Sequence, residues 1–185
     1  MIIIIVVAVA IVLGIVALYN GLIARKNQVE NVFGSTDALL KKRYDLIPNL
    51  IATVQQYMQH ERGTLTEITE LRAKAISGTL SDNEKIDLDN KLTKTLGGIM
   101  VAVENYPDLK ANQNFLQLQA ALNETEEQIS AARRAYNATV TQYNNSVEMF
   151  PTSIMASMMN YQRKNVFEIP EGERKNVDVK NLFNS

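Results

Sequence analysis

From Phe115 to Phe150 an apolar or aromatic residue recurs at every third or fourth position. The series is Phe115, Leu118, Leu122, Ile129, Ala132, Tyr136, Val140, Tyr143, Val147 and Phe150, with Thr125 filling the one gap. That spacing is one face of an α-helix. Neither Pro nor Gly interrupts the chain between Lys110 and Phe150, and Pro151 ends the pattern. At about 1.5 Å per residue the helix is roughly 50 Å long, against a usual length of about 11–12 residues. One stripe that long cannot be buried by its own helix. It requires other long helices alongside, so this stretch alone argues for an all-α bundle.

The N-terminus is of another kind. Met1 to Leu18 is apolar throughout, and Tyr19, Arg25 and Lys26 follow. An uncharged run of this length is a candidate membrane span with an aromatic and basic edge. A cleaved signal peptide would carry a basic n-region and a small-residue cleavage site. Neither is present, so the run is expected to stay as an anchor. The Lys/Arg residues, continuing through Lys41, Lys42 and Arg43, all follow the span. By the positive-inside bias this puts the body on the cytoplasmic side of the cell membrane.

Between these two stretches the helical spacing persists. Leu22, Val29, Val32 and Phe33 lead into Leu39, Leu40, Ile47, Leu50, Ile51, Val54, Tyr57 and Met58, and Pro48 is expected to kink or restart that rod near Asp45. Leu65, Ile68, Leu71 and Ala75 form a second run with Gly78 as C-cap. Ser81-Asp-Asn-Glu84 reads as a capping box opening a third, through Leu88, Leu92, Leu96, Ile99, Val103 and Tyr106. Gly97-Gly98 in it is read as a place of close approach. Beyond Pro151, Ile154, Met155, Met158 and Met159 form a short amphipathic face that either folds onto the bundle end or meets a membrane surface or partner. The expected organisation is an anchor over residues 1–20, an antiparallel bundle of about four long helices over 21–160, and an extended tail over 161–185, where Val177 and Val179 alternate with Asp178 and Lys180.

The composition excludes much chemistry. There is no Cys, so disulfides, thiolate metal sites and Cys nucleophiles are out. The 19 basic and 20 acidic residues nearly cancel, which gives no footing for nucleic acid. His60 is the one histidine, so no H-E-x-x-H zinc site can form. Glu124, Glu126 and Glu127 cluster, but the Glu-x-x-His of di-metal bundles is missing. No nucleophile–base pair stands out, and neither catalysis nor a cofactor is expected. Lys41, Lys42 and Arg43 are either a solvated face or a contact for anionic lipid headgroups.

Two blocks carry a family likeness. One is Lys42-Arg43-Tyr44-Asp45-Leu46-Ile47-Pro48-Asn49-Leu50, followed by Tyr57 and His60-Glu61. The other is Thr125-Glu126-x-x-Ile129-x-x-Ala132-Arg133-x-x-Tyr136-Asn137, then Tyr143-Asn144 and Phe150-Pro151. With the apolar start and Tyr19-Asn20 after it, the chain resembles the LemA family almost throughout. The tail resembles it only loosely, through Val177, Val179 and Phe183. The resemblance implies a single-pass membrane protein with an antiparallel helical bundle and no known catalytic activity. It also implies an accessory or scaffold role, with a membrane metallopeptidase or another membrane protein as partner.

The resulting expectation is a membrane-anchored scaffold or adaptor, acting as a homo-oligomer. The alternative is a lipid-organising protein that binds anionic headgroups through its basic and Met-rich segments. Arg43, Tyr44, Asp45, Pro48, Asn49, Glu126, Arg133, Tyr136 and Asn137 are expected to form one structural network. In it, Arg133 or Asn137 would bond the carbonyls freed at Pro48. Arg133→Ala would then cost more stability than Arg43→Ala, because Arg43 would reach water.

Overall fold

The computed structural model describes residues 1–168. Six α-helices follow in order: α1 (Ile2–Val54), α2 (Arg62–Ala75), α3 (Asp82–Ala102), α4 (Pro107–Lys110), α5 (Gln113–Glu148) and α6 (Thr152–Met158). Among the described residues there is no strand. The tail positions Val177, Val179 and Phe183 lie outside the described residues.

α1 has 53 residues and runs about 80 Å at about 1.5 Å per residue. From Met1 to Ala17 every residue is exposed, so that apolar segment has no cover from the protein. From Leu22 onward the same helix supplies the core with Leu22, Val29, Phe33, Leu40, Tyr44, Ile47, Leu50 and Val54. α5 lies antiparallel to it: Arg25 meets Ser146, Phe33 meets Tyr136, and Arg43 meets Glu126. α2 turns back along α1, α3 runs parallel to it with Lys85 on Asp37, and the four make an up-down bundle.

Gly78 sits between α2 and α3 at φ +73°, the left-handed region that a residue without Cβ enters freely. Ser81 then caps α3: its hydroxyl accepts from the Glu84 amide, and the Glu84 carboxylate accepts from the Ser81 amide at 2.8 Å. The Ser81 hydroxyl also donates to that carboxylate at 2.7 Å, and this bond together with the one from the Ser81 amide holds the Glu84 carboxyl below its ordinary value. Gly97 and Gly98 have no neighbour within 4 Å of where a Cβ would stand. The close approach read from that pair is absent, and α3 runs through it.

α1 does not restart at Pro48; the helix is continuous there. Proline lacks an amide hydrogen, so the Tyr44 carbonyl, four residues back, loses its helical donor. Arg72 of α2 supplies one, its Nε donating to that carbonyl at 2.8 Å. Arg133 and Asn137, the donors expected for this role, are engaged elsewhere. Arg72→Met is expected to cost about 1.5–3 kcal/mol. In a Pro48→Ala background it should cost less by about 1 kcal/mol, since the amide hydrogen restored at position 48 returns to the carbonyl. A double-mutant cycle by urea unfolding in detergent reads this coupling; strictly additive losses would mean that Arg72 does not serve the proline.

α5 opens on Asn112, whose side chain accepts from the amides of Asn114 and Phe115, and ends at Glu148. Phe150 therefore leaves the stripe assigned to it and is 80% exposed. The peptide bond to Pro151 is cis. α6 packs back on α1 and α5. It buries Ala156, its smallest apolar side chain, and turns Ile154 and Met158 outward.

Candidate functional site

The two sequence blocks meet in the middle of the bundle, around residues from a third helix. Arg43 of α1 and Arg133 of α5 are buried, and Asp89 of α3 lies between them with no exposed surface. One Asp89 carboxylate oxygen accepts from Arg43 Nη2, the other from Arg133 Nη2, the latter at 2.8 Å. Glu126 bridges the same pair on the solvent side, with Arg43 Nη1 at 2.8 Å and Arg133 Nη1 at 3.1 Å. The Thr93 hydroxyl accepts from Arg43 at 2.9 Å and from Arg133 at 2.8 Å. Two positive and two negative charges thus balance. A buried charge is tolerable only when paired and hydrogen-bonded, and this arrangement meets that condition from three helices. Burial pulls the Arg43 guanidinium below its ordinary value, and Glu126 works against that fall.

The chemistry of such a cluster is restraint. Both oxygens of Asp89 accept from guanidinium donors and the residue has no exposed surface, so a substrate in solution does not reach it. Among the described residues no group of three or more His, Cys, Asp or Glu side chains is placed to hold a metal. Glu124 and Glu127 point to solvent, and His60 is exposed in a single turn after α1.

The remaining sequence-predicted positions separate. Tyr44 is buried beside Arg43, and burial raises its hydroxyl. Asp45 pairs on the surface with Lys41 at 2.8 Å, and Pro48 and Asn49 are exposed. Lys42 reaches Gln128 at 3.4 Å. Arg43, grouped with Lys41 and Lys42 as a lipid contact, is only 1% exposed and unavailable to a headgroup.

Residues 32–181 match the LemA family. The chain belongs to the LemA family. Protein LemA of Metamycoplasma hominis is 27% identical over 165 residues, covering 89% of this chain and 75% of that protein. Magnetosome protein MamQ 2 of Paramagnetospirillum magneticum is 29% identical over 86 residues, or 46% of this chain and 32% of that protein. Magnetosome protein MamQ of Magnetospirillum gryphiswaldense is 27% identical over 86 residues, with the same shares. The LemA family match begins at Val32, beyond the exposed apolar segment, and takes in the charge cluster whole.

The LemA-family bundle carries a second polar device, formed with residues 161–168. This strap leaves α6 and lies in the groove between α5 and α3. Asn144 exchanges two hydrogen bonds with the backbone of Lys164, at 2.9 and 3.0 Å. Asn137 does the same with Phe167, at 2.8 and 2.9 Å. On the opposite wall, Asn83 accepts from the Asn165 amide and Asn90 from the Glu168 amide. Each wall spaces its asparagines seven apart, and the strap spaces its partners three apart. Seven helical residues rise about 10.5 Å and three extended residues about 10 Å, so the registers match. Phe167 fills the groove, edge-on to Tyr136 with ring centroids at 5.3 Å and 5.8 Å from the Arg133 guanidinium carbon. Burial raises the Tyr136 hydroxyl, which finds no hydrogen-bond partner among the described residues.

The sequence expectation names Asn137 and Asn144 on α5 without pairing them to the strap, and omits Asp89, Asn83 and Asn90 as partners. Counting back from Leu92 by threes gives Asp89 and then Ile86, which would have put a carboxylate at a core position. The seven-residue spacing of Asn83 with Asn90 and of Asn137 with Asn144 was the available signal for the two walls.

Proposed function

We propose that this LemA-family chain is a membrane-anchored scaffold or adaptor without catalytic activity. In this reading its body is cytoplasmic and it assembles with copies of itself or with another membrane protein, a membrane metallopeptidase being the kind the family resemblance suggests. The observation that carries the reading is the continuity of α1, since the exposed apolar segment and the buried face of the bundle belong to one helix. A single-pass anchor joined this way holds the body at a fixed attitude to the bilayer, which suits a platform. The pairing of the buried charges Arg43, Arg133 and Asp89 with one another and with Glu126 adds support, because it leaves them to stiffen the bundle rather than to react.

Crosslinking of the full chain in intact cells tests this. A membrane-permeant amine crosslinker is expected to join the bundle's lysines to a discrete partner or to a second copy, and an impermeant reagent to leave them untouched. If the permeant reagent yields only links within one chain, the scaffold reading fails. Reaction with the impermeant reagent would put the body outside.

A further inference from the structure

At the end of α5 nearest the anchor, the chain turns a corner with its apolar side chains outward. Phe150 is 80% exposed, Met158 78% and Met149 62%. A cavity of about 380 Å³ opens beside Met149 and Phe150, walled by Arg25 and Ser146 among others. Arg25 is exposed and donates to the Ser146 hydroxyl and to the Gln142 carbonyl at 3.3 Å. No carboxylate among the described residues pairs with it, which leaves most of its guanidinium donors open.

Height along α1 fixes where this corner stands. Ser146 is level with Arg25, and the last helical residue of α5, Glu148, is two residues, about 3 Å, nearer the anchor, with Met149 and Phe150 following it. The apolar run ends at Leu18, seven residues and about 10 Å from Arg25. The end of α5 therefore lies about 7 Å from the edge of the hydrocarbon, at the boundary of a headgroup layer about 5–7 Å deep, and Met149 and Phe150 follow it there. The order from bilayer to body is apolar side chains first and guanidinium second. A phospholipid presents the complementary order, acyl chain and then phosphate. A guanidinium recognises phosphate by charge and by its forked donors, and exposed apolar side chains gain by leaving water at the interface.

We propose that the α5–α6 corner is a phospholipid site: Phe150 and Met149 enter the interfacial layer of the anchoring bilayer, and Arg25 binds the phosphate of a lipid seated in the cavity. The proposal rests on α1 as the membrane anchor. It differs from the headgroup contact read at Lys41 and Lys42, which stand about 25 Å beyond Arg25 along the helix.

The chain has no native Cys, so single labels can be placed on the full protein in phosphatidylcholine–phosphatidylglycerol nanodiscs. A fluorophore at Phe150→Cys is expected to be quenched by headgroup nitroxide lipids at least threefold more than one at Val101→Cys, which is exposed at the far end of α3. A fluorophore at Val9→Cys is expected to be quenched by nitroxide deep in the acyl chain. If the Val9 label is quenched and the Phe150 label matches Val101, the corner is covered by protein or water and the proposal falls. If the Val9 label escapes quenching, the anchor reading falls instead. Native mass spectrometry reads the second half: Arg25→Gln should at least halve the phospholipid retained per chain. Unchanged retention would remove Arg25 from the site.

Discussion

Asp89→Asn is expected to lower the melting temperature of the full chain in detergent by about 10 °C. The substitution keeps the shape of the side chain and removes the one fully buried negative charge between Arg43 and Arg133. Breaking a buried ion pair on one side costs about 3–5 kcal/mol, because the partner charge stays buried. For a chain of this size each kcal/mol moves the midpoint by about 2–4 °C. Glu126→Gln is expected to cost only about 1 kcal/mol, since its side chain is 38% exposed and water screens the loss. Arg43→Met and Arg133→Met should cost about as much as each other, because the two residues are 1% and 4% exposed. That equality replaces the sequence expectation that Arg43 is the milder change. Circular dichroism melts of the four variants settle the ranking; a harmless Asp89→Asn would mean the cluster is not what joins α1, α3 and α5.

Phe167→Ala is expected to free the strap while leaving the bundle folded. Phe167 is 1% exposed between Tyr136 and Arg133, and truncating a buried Phe costs about 3–5 kcal/mol. The strap has no regular secondary structure and opens locally, so the loss is capped by the free energy that holds it down. The effect should therefore appear locally. Amide exchange at Lys164 and Phe167, whose amides are bonded to Asn144 and Asn137, should accelerate by about a hundredfold, equivalent to about 2.8 kcal/mol. Amides in the middle of α5 should keep their native protection. Uniform acceleration across both would mean that strap and bundle unfold as one unit.

The long helices and their order were legible because a three-four spacing is local: it needs only neighbours along one chain. The charge cluster was half legible. Arg43, Glu126 and Arg133 stand out as polar residues at a seam, and α5 does bury Arg133 within its stripe, between Ile129 and Tyr136. Their partner on α3 could not be found from α1 and α5 alone, because pairing across helices depends on how far each slides past the next. Pro48 shows the same limit. The orphaned carbonyl follows from covalent structure, whereas its donor, Arg72, is set by where α2 comes to rest. Phe150 departs for a different reason: helical spacing continues through Glu148, but the backbone is already extended at Met149, and no periodicity encodes that turn.

The unbroken passage of α1 from apolar segment to bundle also fixes an azimuth. A helix turns by about 100° per residue, so the direction in which the bundle projects from α1 is tied to one angular position around the anchor. Adding a single residue between Leu18 and Leu22 would swing the whole body by about that angle about the membrane normal, and adding seven would bring it back to within about 20°. A neighbour that meets the anchor inside the bilayer is thereby presented with one chosen side of the body.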